Sequence, residues 1–307
     1  MYEDVIHHSL KVMNETRRTL LKAMGGSAAI AALAGCSDDG VSGPTLWTDL
    51  SDAEDEDMEA AIAADEEESG HELCWETPGG DLDQQLETSI PAGDGPHSWI
   101  WAHDWVGRFA VREDPEFLYD AADDIDVDLN EYTGAARNAV QFDGAVHGLP
   151  FASETVTLYY NENMVDEPPE TMDEMVEIMD EFHDPANGEY GLSYPATDPY
   201  FASGFIQAFG GDLYDEDALE VTVDSNACKE GVEALQTLFD YIPEDPGYES
   251  QIVVFADENA PFAINGPWEL GNLSEEVEDI GVVELPTVDG NHPRSYSGIQ
   301  MLYFSSM

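Results

Sequence analysis

The sequence predicts an α/β protein made of two lobes. Short apolar runs alternate with helical stretches after residue 44, the pattern of strands and helices that follow one another along a chain. An extended segment at residues 151–160 leaves the first lobe, and residues 300–304 are interpreted as a strand that returns to it. Strands that cross between two lobes predict a hinge and an interlobe cleft, and such clefts are common ligand sites.

The first lobe is predicted to comprise residues 44–153 and 299–307. Ser51-x-x-Glu54 has the form of a capping box and predicts the start of an acidic helix. The inner side of that helix is predicted to carry Met58, Ala61 and Ile62, and the other elements are strands at 45–48, 73–75 and 98–102 and a helix near 82–90.

The second lobe is predicted to comprise residues 154–298. Pro168-Pro169 and a Thr171-x-x-Glu174 capping box precede a helix at residues 172–182. A further helix is predicted at residues 225–239 and a late strand at 282–285. The inner face of the further helix is predicted to carry Val232, Leu235, Leu238 and Phe239.

The composition is strongly acidic, with 67 Asp and Glu residues against 9 Lys and Arg and a formal net charge of −58. The acids are spread along the chain, and 42% of the residues are hydrophobic, enough to bury a core. A charge of this size repels itself in dilute buffer and is screened in molar salt, where the Debye length is about 3 Å. It therefore indicates adaptation to high salt and argues against nucleic acid or an anionic membrane surface as a partner.

The first 36 residues have the form of an export signal. Thr16-Arg17-Arg18-Thr19-Leu20-Leu21-Lys22 matches a twin-arginine motif, and the apolar run that follows, residues 23–34, is too short to span a bilayer. Leu33-Ala34-Gly35-Cys36 then has the form of a lipobox. We expect export by the twin-arginine pathway and attachment to the outer face of the membrane through lipid on Cys36 alone. Translation is expected to start at Met13, and residues 37–43 to form a tether. The other two cysteines, Cys74 and Cys228, are interpreted as core residues.

Three short segments have the composition of a sugar site. A pyranose stacks its C–H face on Trp or Tyr and hydrogen-bonds its hydroxyl groups to charged or amide side chains. Each segment by itself is weak evidence, because an Asp after a strand is more often a helix cap and a Trp is more often a core residue. The segments are Trp101-Ala102-His103-Asp104-Trp105, Asp198-Pro199-Tyr200-Phe201 and Asn265-Gly266-Pro267-Trp268-Glu269.

These segments, in this order, resemble the maltose/maltodextrin-binding proteins of ABC importers, and the resemblance extends over about residues 46–304. It implies a two-lobed periplasmic-binding (type II) fold that closes around a sugar, works as a monomer with a membrane permease, and needs neither cofactor nor metal. The segments that carry the resemblance are Gly93-Asp94-Gly95-Pro96, Trp101-Ala102-His103-Asp104, Leu149-Pro150-Phe151, Asp198-Pro199-Tyr200-Phe201, Ile264-Asn265-Gly266-Pro267-Trp268 and Leu285-Pro286-Thr287.

The resemblance also implies which residues contact the sugar. By position these are Trp101 and Asp104 in the first lobe, Glu154 at the hinge, and Asp198, Tyr200 and Trp268 in the second lobe.

Three positions depart from the family pattern. Trp105 stands where these proteins have an arginine, and Asp198 stands in place of a glutamate. Ser51 and Asp52 align with an Asp-Lys pair, so the lysine is missing. The first sugar subsite is therefore altered, which argues against maltose itself and leaves a gluco-oligosaccharide, trehalose or another disaccharide open.

Two other functions use similar residues, glycoside hydrolysis and the binding of a cation. A glycoside hydrolase needs two carboxylates about 5 Å or about 6.5–9.5 Å apart, which Asp104 and Asp198 on different lobes of a closing cleft cannot maintain. The sequence also contains no Gly-x-Ser-x-Gly, His-Glu-x-x-His or P-loop motif. A polyamine- or metal-ion-binding protein on the same fold would also use acids beside tryptophan, but the family segments favour sugar.

The chain is expected to be incomplete at its C terminus. It stops at Met307, within the predicted returning strand, and no apolar-periodic helix follows Gly298. The resemblance implies further helices that complete both lobes. A shortened but functional variant is the alternative.

The charge leads to a test of stability. We expect the melting temperature to rise between about 0.1 M and about 2 M KCl, because salt screens the repulsion among dispersed acids. Thermal unfolding followed by circular dichroism checks this. A melting temperature that does not change over that range would contradict the adaptation to high salt.

Overall fold

The computed structural model describes residues 43–50, 52–79, 81–112, 117–215 and 218–307. The predicted export signal, Met13, Cys36 and Ser51 lie outside these residues. Contacts between Cα atoms divide the chain into two compact units. The first comprises the described residues up to Glu154 together with Gly298–Met307, and the second comprises Thr155–Ser297.

The strands form one main mixed sheet in each unit. The strands are β1 (Thr45–Trp47), β2 (Cys74–Glu76), β3 (Ser98–Ala102), β4 (Gln141–Phe142), β5 (Ala145–Val146), β6 (Gly148–Glu154), β7 (Thr157–Asn161), β8 (Leu192–Ser193), β9 (Tyr214–Asp215), β10 (Glu220–Val221), β11 (Phe262–Asn265), β12 (Ile280–Val283) and β13 (Gly298–Phe304). The first sheet has the order β2-β1-β3-β13-β6 and the second β12-β7-β11-β8, while β4-β5 and β9-β10 form two-stranded sheets. The predicted mixed α/β class is confirmed.

Helices cover the sheets. They are α1 (Asp52–Ser69), α2 (Leu82–Ala92), α3 (Val106–Ala110), α4 (Gly134–Ala139), α5 (Met172–Phe182), α6 (Pro199–Ile206), α7 (Asn226–Leu238), α8 (Tyr248–Ala256) and α9 (Leu270–Glu276). Across the described ranges, none of them has both the length and the apolar character needed to cross a membrane.

The first unit buries both faces of its sheet. In β1, β3 and β13, alternate residues point to opposite faces, so Trp99 and Tyr303 pack with Leu82 and Leu86 of α2. The other face carries a smaller cluster, whose buried members are Leu46, Met58, Ile62, Ile100 and Leu302. Met58 and Ile62 belong to α1, as predicted.

The second unit is built in the same way. On one face of its sheet, Leu158, Phe262 and Ile264 pack against α5, α6 and α7. On the other face, Tyr159 and Ala263 pack with residues of α8 and α9. The two remaining cysteines, Cys74 in the first unit and Cys228 in the second, are both buried, as predicted.

Several predicted elements appear at the predicted residues. Strand β3 spans residues 98–102, and α5 spans 172–182. The capping box of α5 is formed, because Thr171 Oγ1 accepts from Glu174 N at 3.2 Å and Glu174 Oε2 accepts from Thr171 N at 3.3 Å. The late strand β12 begins at Ile280, two residues before the predicted start.

The prediction that Phe239 lies on the inner face of its helix is wrong. Helix α7 ends at Leu238, and Phe239 is 40% exposed. The cause is the close approach of α6 at Gly231, where a Cβ atom would lie only 2.4 Å from Ile206 O. This contact buries the face that carries Cys228, Gly231, Leu235 and Leu238.

Candidate functional site

The first group of predicted residues lies at the end of β3. Trp101 is half-buried in the strand, and His103–Trp105 form a 3-10 turn directly after it. The rings of Trp101 and Trp105 pack edge to face, with centroids 5.6 Å apart and planes at 74°. Trp101 Nε1 is buried and has no hydrogen-bond partner among the described residues. A donor of this kind is suited to an oxygen atom of a ligand.

Two predicted acids belong to the same group. Asp104 is exposed, whereas Glu154 is half-buried at the end of β6 and accepts from Gln300 Nε2 at 3.2 Å. Burial raises the pKa of the Glu154 carboxyl, and the charges of Glu54 and Asp104 raise it further, against the hydrogen bond from Gln300. The carboxylate of Asp104 is therefore close enough to Glu154 for its charge to raise the pKa of Glu154.

His103 adds a donor to this group. Its Nδ1 atom accepts from the backbone N–H of Ile299 at 3.2 Å, and burial lowers the pKa of the ring. A neutral imidazole whose Nδ1 atom accepts must carry its proton on Nε2. The sequence placed His103 in a family segment without giving it a role. We call Trp101, His103, Asp104, Glu154 and Gln300 the β3 group.

Trp105, which replaces the family's arginine, is itself covered by an arginine. The guanidinium of Arg108 lies 4.4 Å from the centroid of the indole ring, a cation–π contact. Arg108 also forms an ion pair with Glu87, and Arg112 pairs with the same carboxylate at 2.9 Å. Positive charge is therefore still present beside Trp105, but it comes from the next turn of the chain.

Asp198 caps a helix. It is the N-cap residue of α6, where its side chain accepts from Tyr200 N at 2.8 Å. The cautious interpretation of an Asp after a strand is thus correct here. Its carboxylate is exposed, and its role toward a sugar stays a prediction.

Tyr200 and Trp268 come together in the second unit. Their ring centroids are 6.1 Å apart with planes at 51°, and both side chains are half-buried. Trp268 lies in the 3-10 turn Pro267–Glu269 that follows β11, and its ring meets Phe201 edge to face at 6.1 Å. With Tyr248 and Glu269, these three aromatic residues form what we call the indole group.

The sequence missed two residues of these groups. Tyr248, which accepts from Trp268 Nε1 at 2.6 Å, is the first residue of α8 and belongs to no recognisable motif. Gln300 could have been found, because it is an isolated amide within an otherwise apolar strand, β13. In the described part of the chain, no group of three or more His, Cys, Asp or Glu residues is arranged to hold a metal ion.

Comparison with known proteins identifies related chains. The profile of a family described as bacterial extracellular solute-binding protein matches residues 60–306. A maltotriose-binding protein of Pyrococcus abyssi (strain GE5 / Orsay) is 37% identical over 233 residues, which are 74% of this chain and 50% of that protein.

Two relatives from Bacillus subtilis (strain 168) are more distant. The maltodextrin-binding protein MdxE is 23% identical over 218 residues, 67% of this chain and 51% of MdxE. A galactooligosaccharide-binding protein is 23% identical over 256 residues, 78% of this chain and 59% of that protein. The chain thus spans about half the length of the curated relatives it matches.

The raised pKa of Glu154 gives a testable prediction. A raised carboxyl pKa means that Glu154 favours the folded state when protonated, and that this contribution is lost as pH rises through the folded-state pKa. Glu154→Gln keeps the acceptor for Gln300 and removes the buried charge, so it should raise the melting temperature at about pH 7 and change it little at or below about pH 4. Glu72→Gln, at an exposed carboxylate, controls for the smaller net charge. An equal gain in both variants would contradict the effect of burial.

Proposed function

The chain belongs to the bacterial extracellular solute-binding protein family, and from this membership we propose that it is the substrate-binding component of an ABC importer. It captures maltodextrin-like oligosaccharides outside the cell and delivers them to a membrane permease. The family is one of binding proteins rather than enzymes, so the sugar is bound and released without chemical change. Binding in this proposal uses side chains alone, with no cofactor.

The main support for a sugar as the ligand is the pair of aromatic rings formed by Tyr200 and Trp268, with Asp198 close in sequence. Two half-buried aromatic rings 6.1 Å apart offer apolar faces for the C–H face of a pyranose. Asp198 stands two residues before Tyr200 with an exposed carboxylate, which can accept protons from sugar hydroxyl groups. Aromatic faces next to acids are the composition that a pyranose requires.

The β3 group of the first unit has side chains that also suit a sugar. Each sugar hydroxyl group can both donate and accept a hydrogen bond. Trp101 Nε1 and His103 Nε2 offer donors, while Asp104 and Glu154 offer acceptors. Such a mixture suits a neutral polyhydroxylated ligand better than a cation, which would use only the acceptors.

The names of the relatives favour an oligosaccharide as the ligand, and two of the three names favour a glucose-based one. The one at 37% identity is named for maltotriose, and the other two are named for maltodextrin and galactooligosaccharide. All three names describe oligosaccharides. We therefore propose a gluco-oligosaccharide such as maltotriose as the ligand.

The location proposed for the protein is the outer face of the membrane. The segment from Arg17-Arg18 to Cys36 supports export by the twin-arginine pathway and a lipid anchor on Cys36. Its acidic surface, with a formal net charge of −58, supports a high-salt environment outside the cell.

Removing the stacking face should weaken sugar binding. Trp268→Ala is expected to lower the affinity for maltotriose about tenfold or more, by analogy with base–aromatic stacking of about 1–3 kcal/mol. Asp104→Asn should lower it as well, because an amide loses the charge-assisted hydrogen bond. Calorimetric titration in molar salt measures both.

Controls accompany these variants. Tyr214→Ala removes an aromatic residue that is 46% exposed in the β9-β10 hairpin and belongs to neither group, and this variant should bind like the wild type. Titration with spermidine tests the cation alternative, and an assay for new reducing ends tests hydrolysis. Unchanged maltotriose affinity in both Trp268→Ala and Asp104→Asn, or release of reducing ends, would contradict the proposal.

The anchor is tested separately in cells that export through the twin-arginine pathway. Cys36→Ala should move the protein from the membrane fraction to the medium, because lipid on this cysteine is the proposed attachment. Replacing Arg17 and Arg18 by Lys should leave precursor inside the cell. Membrane-bound protein at the cell surface in both variants would contradict the proposed signal.

A further inference from the structure

The indole of Trp268 is held at several points by its own unit. Its Nε1 atom donates to the hydroxyl group of Tyr248 at 2.6 Å. Its six-membered ring lies against the backbone of Gly266, where a Cβ atom would come within 2.0 Å of Cζ3. Its edge-to-face contact with Phe201, at 90°, limits rotation of the ring plane. These three contacts restrain the Trp268 side chain, so that its indole ring keeps one orientation.

The Tyr248 hydroxyl group links the indole to an acid. A hydroxyl group has one proton and two lone pairs. It accepts from Trp268 Nε1, and its own proton is directed to Glu269 Oε1 at 3.0 Å, with Asn265 Oδ1 farther away at 3.4 Å. The result is a chain of hydrogen bonds from Trp268 through Tyr248 to Glu269.

The proton in this chain stays in place at all ordinary pH values. Burial raises the pKa of Tyr248 far above its usual range, and the charge of Glu269 acts in the same direction. Tyr248 therefore remains protonated and can donate to Glu269 while it accepts from the indole.

The backbone under the indole is held by other residues. Buried Asn265 accepts from Gly266 N through its own Oδ1 atom at 2.8 Å, and Tyr159 donates from its hydroxyl group to Gly266 O at 2.7 Å. Both the N–H group and the C=O group of Gly266 are therefore hydrogen-bonded. The Tyr248 hydroxyl group fixes the opposite end of the contact, the nitrogen edge of Trp268.

We propose that Tyr248 is a positioning residue, which holds the Trp268 indole in the orientation that stacks on the sugar. The proposal rests on the proposed function of Trp268 as a stacking face. Tyr248 acts through Trp268 and does not itself contact the sugar. A face that is oriented before the ligand arrives loses less conformational freedom on binding than a face that rotates freely.

The test is Tyr248→Phe, which removes one hydroxyl group and keeps the ring. Maltotriose affinity should fall about threefold to tenfold, the range that one lost hydrogen bond supports. In a Trp268→Ala background the same substitution should change affinity little, because the side chain that Tyr248 orients is gone. Tyr241→Phe is the matched control, since it removes a hydroxyl group that bonds Asp180 at 2.6 Å and has no link to Trp268.

A second measurement tests how well the Trp268 indole is restrained when no sugar is present. Acrylamide quenching of tryptophan fluorescence is recorded for each protein and for its Trp268→Ala counterpart, and the difference isolates Trp268 from the other five tryptophans. Quenching of Trp268 should increase in Tyr248→Phe and stay unchanged in Tyr241→Phe. If the wild type fails to bind any sugar, the proposed function fails, while the quenching result still decides whether Tyr248 restrains the indole.

Each outcome decides the proposal. Unchanged affinity in Tyr248→Phe, or an equal loss in the wild-type and Trp268→Ala backgrounds, would show that Tyr248 does not act through Trp268. Unchanged quenching would also overturn it. If Tyr248→Phe does not fold, Glu269→Ala takes its place, because it removes the acceptor of the same proton and should also increase quenching of Trp268.

Discussion

Strand β13 is the constraint on which the first unit depends. This strand lies antiparallel between β3 and β6 and closes the sheet around residues that are far apart in the chain. Its Tyr303 stacks on Trp99 at 5.0 Å and donates to Ala102 O at 2.6 Å, directly before the 3-10 turn that carries Asp104. The position of the whole β3 group therefore depends on the pairing of this one strand.

The same strand sets the chemistry of the β3 group. Gly298 pairs with Glu154, and a Cβ atom at Gly298 would lie 2.7 Å from Glu154 Cγ, so the absence of a side chain leaves room for the carboxylate. Ile299 donates to His103 and selects its tautomer, while Gln300 donates to Glu154. Three successive residues of β13 thus contact either Glu154 on β6 or His103 in the turn after β3.

In the second unit, the predicted site residues are positioned mainly by contacts among aromatic rings. Its indole group is built on the turn after β11 and on the first residues of α6 and α8. A close backbone approach at Gly266 replaces the strand pairing as the restraint. In both units a glycine without a side chain leaves space for a predicted site residue, Glu154 or Trp268, and in both that residue forms a hydrogen bond with a residue distant in sequence.

The sequence by itself determined what local patterns encode. The span of β3 and the capping box of α5 at Thr171 and Glu174 follow from short runs of residues, because propensity, capping and periodicity act over one or two turns. The segments that carry Trp101 and Trp268 were identified from their composition and from the family resemblance. Only the tertiary structure decided that Phe239 is exposed, that Gln300 reaches Glu154 across 146 residues, and that Tyr248 holds Trp268. These contacts depend on how strands and helices pack, and no short pattern of residues specifies which distant hydroxyl or amide group will arrive beside a given side chain.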